Sequence, residues 1–234
     1  MAEFSVIIPA YNEGKTIFQN LMIVSETMET GNLDFEIILV DDGSSDDTFD
    51  EAKRAANSSQ KIKVVHYEHN AGKGTAFKKG FENSSGKDIA LLDADLDFHP
   101  SQLLKMLNVL QQTGADIVIG SKYHTESKVN YPFLRRIMSK GYAFLVKLLF
   151  KMPFRDTQSG IKVFKREILG SVLPYMTKSK GYAFDVEILL AAYKQGAQIN
   201  EYPVILNFVK NKQGFPLKMV LNLFTETLRV RLKS

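Results

Sequence analysis

The sequence has no cysteine and no apolar run long enough to cross a bilayer. Without cysteine, the chain holds neither a disulfide framework nor a thiolate metal site. A membrane-spanning helix needs about 20 consecutive apolar residues, and no stretch reaches that length. The N-terminus lacks a basic segment followed by a long apolar core, so we predict a first β-strand there rather than a signal peptide. We therefore expect a cytoplasmic protein that is not an integral membrane protein by itself.

Acidic residues are absent from one long segment, residues 127–155, which holds seven of the 30 Lys and Arg side chains. Apolar side chains are interleaved with these charges, and such a stretch is typical of a helix in a membrane interface. A solvated basic face is the alternative. Nucleic acid is not an expected partner, because no nucleic-acid-binding motif accompanies the charge. The composition, 44% hydrophobic and 24% charged over 234 residues, is that of one folded domain.

Two aspartates separated by one residue, Asp93 and Asp95, follow an apolar run at residues 89–92. Taken alone, Asp-x-Asp is often only a solvated turn or a helix N-cap. Hard cations prefer oxygen ligands, and they accept one or two carboxylates before phosphates and water complete the shell. At the end of a buried strand, the pair therefore predicts a site for Mg²⁺ or Mn²⁺ with a phosphorylated partner.

Apolar runs alternate with longer amphipathic segments over the first half of the chain. The pattern predicts strands at residues 4–8, 35–40, 63–67, 89–92 and 117–119, and helices at 15–30, 47–56, 74–83 and 100–113. This alternation predicts an α/β fold whose mostly parallel sheet is covered by helices on both faces. Polar clusters follow four of the strands, at residues 9–13, 41–45, 69–74 and 93–95. Because parallel strands end at one edge, we expect these clusters to converge.

Other interpretations of the clusters are weaker. Asp41 and Asp42 are candidates to cap the helix that follows them, although a cap needs only one carboxylate. The spacing around Gly72 and Lys73 lacks the Gly-x₄-Gly-Lys-Ser/Thr pattern of nucleoside triphosphatases. The Gly-x-Gly-x-x-Gly fingerprint of dinucleotide enzymes is also missing after the first strand.

Five segments carry a resemblance to a known family. They are Val6-Ile7-Ile8-Pro9-Ala10-Tyr11-Asn12-Glu13, Val40-Asp41-Asp42-Gly43-Ser44-Ser45-Asp46, Asn70-x-Gly72-Lys73-Gly74, Asp93-Ala94-Asp95-Leu96 and Asp156-Thr157-Gln158-Ser159-Gly160-Ile161-Lys162. In this order and spacing they resemble family 2 glycosyltransferases of GT-A fold, and most of all the polyprenyl-phosphate sugar synthases, over roughly residues 4–210. The resemblance implies a nucleotide-sugar donor, a divalent metal on Asp-x-Asp and inversion at the sugar carbon.

The resemblance implies donor-side roles for single residues. The expected nucleotide-sugar ligands are Pro9, Ala10, Tyr11, Glu13, Asp41, Asp42, Gly72, Lys73, Asp93 and Ala94. The expected metal ligands are Asp93 and Asp95, and Asp95 is also a candidate catalytic base. Asp97 stands where relatives often have Gln, and either adds a third metal ligand or caps the helix near Pro100. Lys122 stands where relatives usually have Arg, and is expected to be a catalytic cation without a bidentate phosphate clamp.

The resemblance also implies an acceptor site. Arg135, Arg136 and Ser139 are the expected ligands of an acceptor phosphate, and Arg135 is a candidate catalytic residue. Asp185 is a candidate acid-base carboxylate; the alternative is a helix N-terminal residue that complements the helix dipole. Asn211 replaces an Arg of the family pattern, with Lys210 and Lys212 beside it as substitutes. That departure leaves the donor open between GDP-mannose and UDP-glucose.

These expectations combine into one function. The chain is expected to transfer a hexose from a nucleotide sugar to a polyprenyl phosphate at the cytoplasmic face of a membrane. One domain would do this, with a donor half at 1–122, an acceptor half at 123–214 and an amphipathic helix at 215–234 that lies on the membrane or packs on the core. The alternatives are transfer to a glycan or other hydroxyl acceptor and a non-catalytic nucleotide-sugar sensor. A membrane-anchoring subunit is a further candidate partner.

Overall fold

A seven-stranded sheet with helices against both faces forms the body of the protein. The computed structural model describes residues 2–130, 133–176, 181, 183–207 and 217–233, with the side chains of all but 133–135, 207, 217–221 and 233. The strands are β1 (Phe4–Ala10), β2 (Phe35–Asp41), β3 (Ile62–His66), β4 (Asp88–Leu92), β5 (Ile117–Ser121), β6 (Lys128–Asn130), β7 (Ile161–Lys165), β8 (Ile199–Pro203) and β9 (Ile205–Asn207). The helices are α1 (Ile17–Glu29), α2 (Thr48–Ser58), α3 (Lys73–Glu82), α4 (Ser101–Thr113), α5 (Phe133–Phe150), α6 (Arg166–Val172), α7 (Phe184–Lys194) and α8 (Leu217–Lys233).

The strand order across the sheet is β3-β2-β1-β4-β7-β5-β8, and β6 pairs separately with β9. Within the large sheet all neighbours are parallel except β7, which runs antiparallel to both β4 and β5. The elements predicted between residues 4 and 119 are all present, with ends within about two residues of the prediction. The mostly parallel α/β class is therefore confirmed. The antiparallel β7 is an addition that the alternation of the first half does not predict.

Successive residues of each strand face opposite sides of the sheet. On β1, Val6 and Ile8 pack into one apolar cluster, and Ile7 packs into the other. The strands β2, β4 and β5 are buried along their whole length. This explains why their sequences are continuous apolar runs, because helices cover both of their faces.

Helices α5 and α8 pack against each other through Tyr142. Its hydroxyl lies 2.7 Å from the Thr227 hydroxyl, and its ring meets Phe224 edge-on with 5.8 Å between centroids. Thr227 is buried, whereas Leu228 and Leu232 on the same helix are exposed. One face of α8 therefore belongs to the core and the opposite face does not. In the part of the chain that the structure describes, no helix is long and apolar enough to cross a membrane.

Candidate active site

The predicted donor residues lie where the strand order reverses, between β1 and β4. Chain connections leave these two strands in opposite directions, which opens a crevice at their carboxyl ends, the usual ligand site of such sheets. Pro9 and Ala10 end β1, and the half-exposed Tyr11 follows them. Asp93 and Ala94 follow β4. The structure thus brings the two sets to one edge of the sheet.

The loops after β1 and β2 are hydrogen-bonded to each other. Asn12 has a left-handed φ of 57°, and its side-chain oxygen accepts the Ser45 amide at 2.9 Å. The Asn12 amide donates to the Ser44 hydroxyl at 2.9 Å, and the Glu13 amide donates to the Thr48 hydroxyl at 2.8 Å. The Asp42 amide also donates to the Ala10 carbonyl oxygen at 2.9 Å, so the two loops that carry the predicted nucleoside residues form one wall.

Asp41 and Asp42 do not cap α2. The Asp46 carboxylate accepts the Thr48 amide at 3.1 Å and so serves the start of that helix. Asp41 is fully buried, and its carboxylate lies 2.8 Å from His66 Nδ1 on the neighbouring strand β3. The cap interpretation of the two aspartates is therefore wrong, because their side chains are directed to the strand and loop on the other side.

Asp42 fastens the loop between β3 and α3. Its Oδ1 accepts the Tyr67 hydroxyl at 2.6 Å and the Ala71 amide at 2.7 Å, and its Oδ2 accepts the Gly72 amide at 2.9 Å. Burial and this carboxylate raise the pKa of the Tyr67 hydroxyl, which keeps it a donor. Gly72 has a φ of 92°, a conformation that glycine adopts without strain. Asp42 therefore shapes the loop that presents Lys73.

Lys73 is the first residue of α3 and joins two carboxylates. Its Nζ lies 2.6 Å from Asp93 Oδ1 and 3.8 Å from Asp185 Oδ2. Burial disfavours its charge, but Asp93 and Asp185 hold the pKa of Lys73 above its ordinary value. The Asp93 carboxylate thus already holds a cationic group in this structure.

A second lysine, Lys162 on β7, reaches the same cluster from inside the sheet. It is fully buried, and its Nζ donates to Asp185 Oδ1 at 2.5 Å and to the Ser159 carbonyl oxygen. Burial lowers the pKa of Lys162, and the charge of Asp185 opposes that shift. Asp185 also lies in the first turn of α7, as the helix-dipole alternative requires. Both of its oxygens face ammonium groups.

The residues around Asp93 fit a cation bound to its carboxylate. The Lys73 ammonium marks a place where Asp93 accepts positive charge. Gly160 leaves room for that carboxylate, because a Cβ at this position would lie 1.9 Å from Asp93 Oδ2. Asp95 is two residues away on the same turn, and carboxylate oxygens are the donors that Mg²⁺ and Mn²⁺ prefer. Metal binding by Asp93 and Asp95 stays a prediction.

Asp97 is the third aspartate of the segment after β4. Among the described residues, no group of three or more acidic or histidine side chains is gathered closely enough to hold a metal. The left-handed φ of 50° at Leu96 bends the chain, so that the Asp97 amide donates to Asp95 Oδ1 at 3.1 Å. Pro100 occupies the N-cap position of α4, and the Ser101 amide at the start of the helix donates to His99 Nδ1 at 3.2 Å. Both interpretations of Asp97, as third ligand and as cap, stay predictions.

Lys122 follows β5 and is paired with Asp156. The distance from Lys122 Nζ to Asp156 Oδ2 is 2.9 Å, and the same oxygen accepts the Lys122 amide at 2.8 Å. Glu201 holds this loop, because its Oε1 accepts the amides of Arg155 and Asp156 at 3.0 and 3.2 Å. The cation predicted to face phosphate is thus balanced by a buried protein carboxylate in this structure, and its catalytic role stays a prediction.

On the acceptor side, the hydroxyls of Ser139 and Tyr123 are 2.6 Å apart. Both residues line a cavity of about 20 Å³, together with Tyr142, Ala143, Asp156, Thr157 and Gln158. That volume suits about one water molecule or one ligand oxygen. The buried amide nitrogen of Gln158 has no hydrogen-bond partner in the described part of the chain. A donor is therefore available beside the predicted acceptor residue Ser139.

The other predicted acceptor residues are less closely placed. Arg136 is exposed and donates to the Val129 carbonyl oxygen at 3.4 Å. The side chain of Arg135 lies outside the described residues, and so do Lys210, Asn211 and Lys212.

The sequence matches the model of one protein family, Glycosyl transferase family 2, over residues 5–173. The matched segment includes both wall loops, the Asp-x-Asp turn and the loop of Asp156. This chain belongs to glycosyl transferase family 2. The family predicted from the motifs is thereby confirmed.

Two curated relatives in the family have similar sequences. A dolichyl-phosphate beta-glucosyltransferase from Saccharomyces cerevisiae is 31% identical over 219 residues, which cover 86% of this chain and 65% of the relative. Glycosyltransferase AglD from Haloferax volcanii is 30% identical over 204 residues, which cover 86% of this chain and 32% of the relative. The chain thus spans just under two thirds of one relative and about one third of the other.

The fold is similar to that of solved structures of GT-A type. Glucosyl-3-phosphoglycerate synthase from Mycobacterium tuberculosis, crystallised with Mn²⁺, UDP and glucosyl-3-phosphoglycerate, gives a TM-score of 0.70 at 23% identity. The superposition covers 98% of this chain and 80% of that one. The likeness establishes the GT-A fold predicted from the motifs.

Sequence reasoning missed the roles of Asp156 and Lys162. Both lie in the family motif at residues 156–162, which by itself assigns them no partner. A lysine inside an apolar strand is the available signal for Lys162, because a buried ammonium needs a carboxylate. Its partner Asp185 lies 23 residues further along the chain. That pairing depends on tertiary structure and not on local pattern.

Proposed function

We propose that this chain transfers a hexose from a nucleotide sugar to a polyprenyl phosphate, with Mg²⁺ or Mn²⁺ on Asp93 and Asp95. The observation that carries the proposal is the cationic group on Asp93 at the crevice between β1 and β4. Family membership supports sugar transfer, and the dolichyl-phosphate beta-glucosyltransferase relative supports the acceptor class.

The donor half supplies charge where a nucleoside diphosphate departs. With a divalent cation held by Asp93 and Asp95, the charge that develops on the diphosphate would be neutralised. Lys73, which contacts Asp93, adds positive charge at the same place. The proposed nucleoside site is the wall formed by the loops after β1 and β2, which includes Pro9, Ala10 and Tyr11. The relative acts with glucose by its name, so UDP-glucose is the first donor to test and GDP-mannose the second.

The position of Asp185 supports a phosphate acceptor over a hydroxyl acceptor. A hydroxyl needs a general base to take its proton. Asp185 suits that role poorly, because its oxygens lie 2.5 Å from Lys162 Nζ and 3.8 Å from Lys73 Nζ, and the other candidate base, Asp95, is assigned to the metal in this proposal. A phosphate monoester, with a second pKa of about 6, is already largely ionised at neutral pH. Its direct attack on the sugar carbon, in a single displacement, inverts that carbon.

The acceptor phosphate is proposed to bind between α5 and the loop of Asp156. The Ser139 hydroxyl and the Gln158 amide nitrogen are neutral donors beside the small cavity there. Arg135 and Arg136, in the first turns of the same helix α5, supply positive charge for the phosphate.

Donor binding tests the proposal through Asp93. Purified protein should bind UDP-glucose or GDP-mannose with Mn²⁺ in calorimetry, and Asp93→Asn should weaken that binding at least tenfold in a protein that still unfolds cooperatively. Asp50→Asn, on the exposed first turn of α2, is the matched control and should bind normally. Equal donor affinity in EDTA and in Mn²⁺ would contradict the metal site.

To reach a lipid acceptor, the protein needs a surface that binds a membrane. We propose one side of helix α5 for this role. Ile137, Phe144 and Leu148 are 52%, 70% and 64% exposed. Exposed basic residues share this side, and no acidic residue occurs between 127 and 155. Each Lys or Arg near anionic lipid contributes about 1 kcal/mol, which salt screens. We place this α5 surface on the anionic cytoplasmic face of a membrane.

Vesicle flotation tests the α5 surface. Phe144→Ser with Leu148→Ser should abolish flotation with anionic vesicles, and added salt should weaken it in the unmodified protein. Ile23→Ser is the control, because Ile23 is 39% exposed on α1, whose buried residues pack into a different apolar cluster from those of α5. Unchanged flotation in the double variant would assign attachment to α8 or to a membrane-anchoring subunit.

A further inference from the structure

Lys73 has two carboxylates within reach and is bonded to one of them. Its Nζ is 2.6 Å from Asp93 Oδ1, whereas Asp185 Oδ2 is 3.8 Å away, beyond a direct hydrogen bond. The ring of Phe184 lies beside the second position, with its centroid 5.7 Å from Nζ. A small rotation of a flexible lysine side chain therefore exchanges one partner for the other.

The two carboxylates differ in how open they are. The Asp185 side chain is 4% exposed and is fixed from behind by Lys162 at 2.5 Å. The Asp93 side chain is 35% exposed and stands on the turn after β4. An incoming ligand can therefore reach Asp93 more readily than the buried Asp185, whose partners among the described residues are Lys162 and Lys73.

We propose that Lys73 is a displaceable counter-ion that makes cation and nucleoside diphosphate binding depend on each other. This inference rests on the proposed function of the site. A divalent cation that binds Asp93 must first displace the ammonium, so the cation alone binds weakly. When a diphosphate enters as well, the displaced ammonium moves toward Asp185 and the phosphate oxygens, which accept charge-assisted hydrogen bonds. Each ligand then strengthens the other by the same factor.

The role differs from simple electrostatic repulsion in one measurable way. If Lys73 only repelled the cation, its removal would tighten Mn²⁺ binding equally with and without a nucleotide. If Lys73 is displaced and then pairs with phosphate, its removal raises the affinity for Mn²⁺ alone. It also reduces the factor by which the nucleotide increases the Mn²⁺ affinity. The ratio of the Mn²⁺ affinity with nucleotide to the Mn²⁺ affinity without it therefore distinguishes a displaced counter-ion from simple repulsion.

The experiment is a Mn²⁺ titration followed by the EPR signal of free Mn²⁺, with and without saturating UDP, and in parallel with GDP. Lys73→Met should bind Mn²⁺ alone about threefold to fivefold more tightly, the scale of one exposed or partly exposed ion pair. The enhancement by nucleotide should fall by at least the same factor. Lys79→Met is the matched control, because Lys79 is an exposed lysine on α3 that pairs with Glu82 at 3.0 Å. It should leave both affinities unchanged.

The outcomes separate this inference from the proposed function. If the unmodified protein binds Mn²⁺ and nucleotide but the enhancement is the same in Lys73→Met, the counter-ion role is refuted and the metal site stands. If the unmodified protein binds neither Mn²⁺ nor UDP nor GDP, the proposed function fails and this inference fails with it. Melting temperatures of both variants verify that the fold is retained.

Discussion

Replacement of Asp42 by asparagine separates an anchoring role of this carboxylate from a ligand role. Three donors bond to it, the Tyr67 hydroxyl and the amides of Ala71 and Gly72. Asparagine keeps one oxygen for the first two donors but turns an NH₂ group toward the Gly72 amide. The lost hydrogen bond to a charged group costs about 1.5–3 kcal/mol, and the other two weaken when their acceptor becomes neutral. We expect Asp42→Asn to lose roughly 2–4 kcal/mol of stability.

Thermal unfolding without ligand measures this loss. For a chain of this size 1 kcal/mol shifts the melting temperature by about 2–4 °C, so we expect a decrease of roughly 4–16 °C. Asp47→Asn is the matched control, because Asp47 is exposed at the N-cap of α2 and makes no side-chain cap bond there. An unchanged melting temperature in Asp42→Asn, with weaker nucleotide binding, would refute the anchoring role and leave Asp42 as a ligand only.

Three other side chains give predictions of their own. Arg135→Ala should raise the KM for polyprenyl phosphate severalfold and leave the KM for the nucleotide sugar; an equal rise in both would contradict an acceptor role. Glu36 is buried, but hydrogen bonds from Lys63, Ser85 and Ser5 lower its pKa from 4.5 to about 2, worth about 3 kcal/mol. Because the folded pKa is the lower one, this stability is present above pH 4.5 and is lost toward pH 2. In urea unfolding, Glu36→Gln should therefore be less stable than the unmodified protein at pH 7, and the difference should shrink in acid. A difference that does not change with pH would show that the Glu36 charge is not its cause. Tyr142→Phe should cost about 1 kcal/mol in the same assay, because Thr227 loses its donor, and full stability would argue against the contact between α5 and α8.

The first half of the fold was predictable because its signals are local. Each strand between β1 and β5 is an apolar run, and each helix between them has an apolar stripe, so periodicity predicts both. Asp42 and Asp93 then lie at the same edge of the sheet, because parallel strands end there. Nothing beyond neighbouring residues is needed for these inferences.

The pairings inside the site were not predictable in the same way. Lys162 meets Asp185, and Lys122 meets Asp156, across 23 and 34 residues of chain. Both pairs depend on β7, which enters antiparallel between β4 and β5 and carries the loop of Asp156 to the site. A strand inserted between two earlier strands leaves no trace in the local pattern of either.

The amphipathic C-terminal helix shows a limit of another kind. Its apolar and basic residues are equally consistent with a helix that packs on the core and with a helix that lies on a membrane. The structure places Thr227 in the core and leaves Leu228 exposed, so one face packs on the core and a membrane role of the exposed face stays a prediction. Periodicity predicts that a face exists but not what covers it.

Formation of a lipid-linked sugar is the most direct measure of the proposed activity. The protein is incubated with Mn²⁺, radiolabelled UDP-glucose or GDP-mannose and a short-chain polyprenyl phosphate, and label is counted in the organic phase. The polyprenyl alcohol of the same chain length and a reaction in EDTA are the controls. We expect label with the phosphate and none with the alcohol or in EDTA. Equal transfer to the alcohol, or transfer that persists in EDTA, would contradict a metal-dependent transferase to a lipid phosphate.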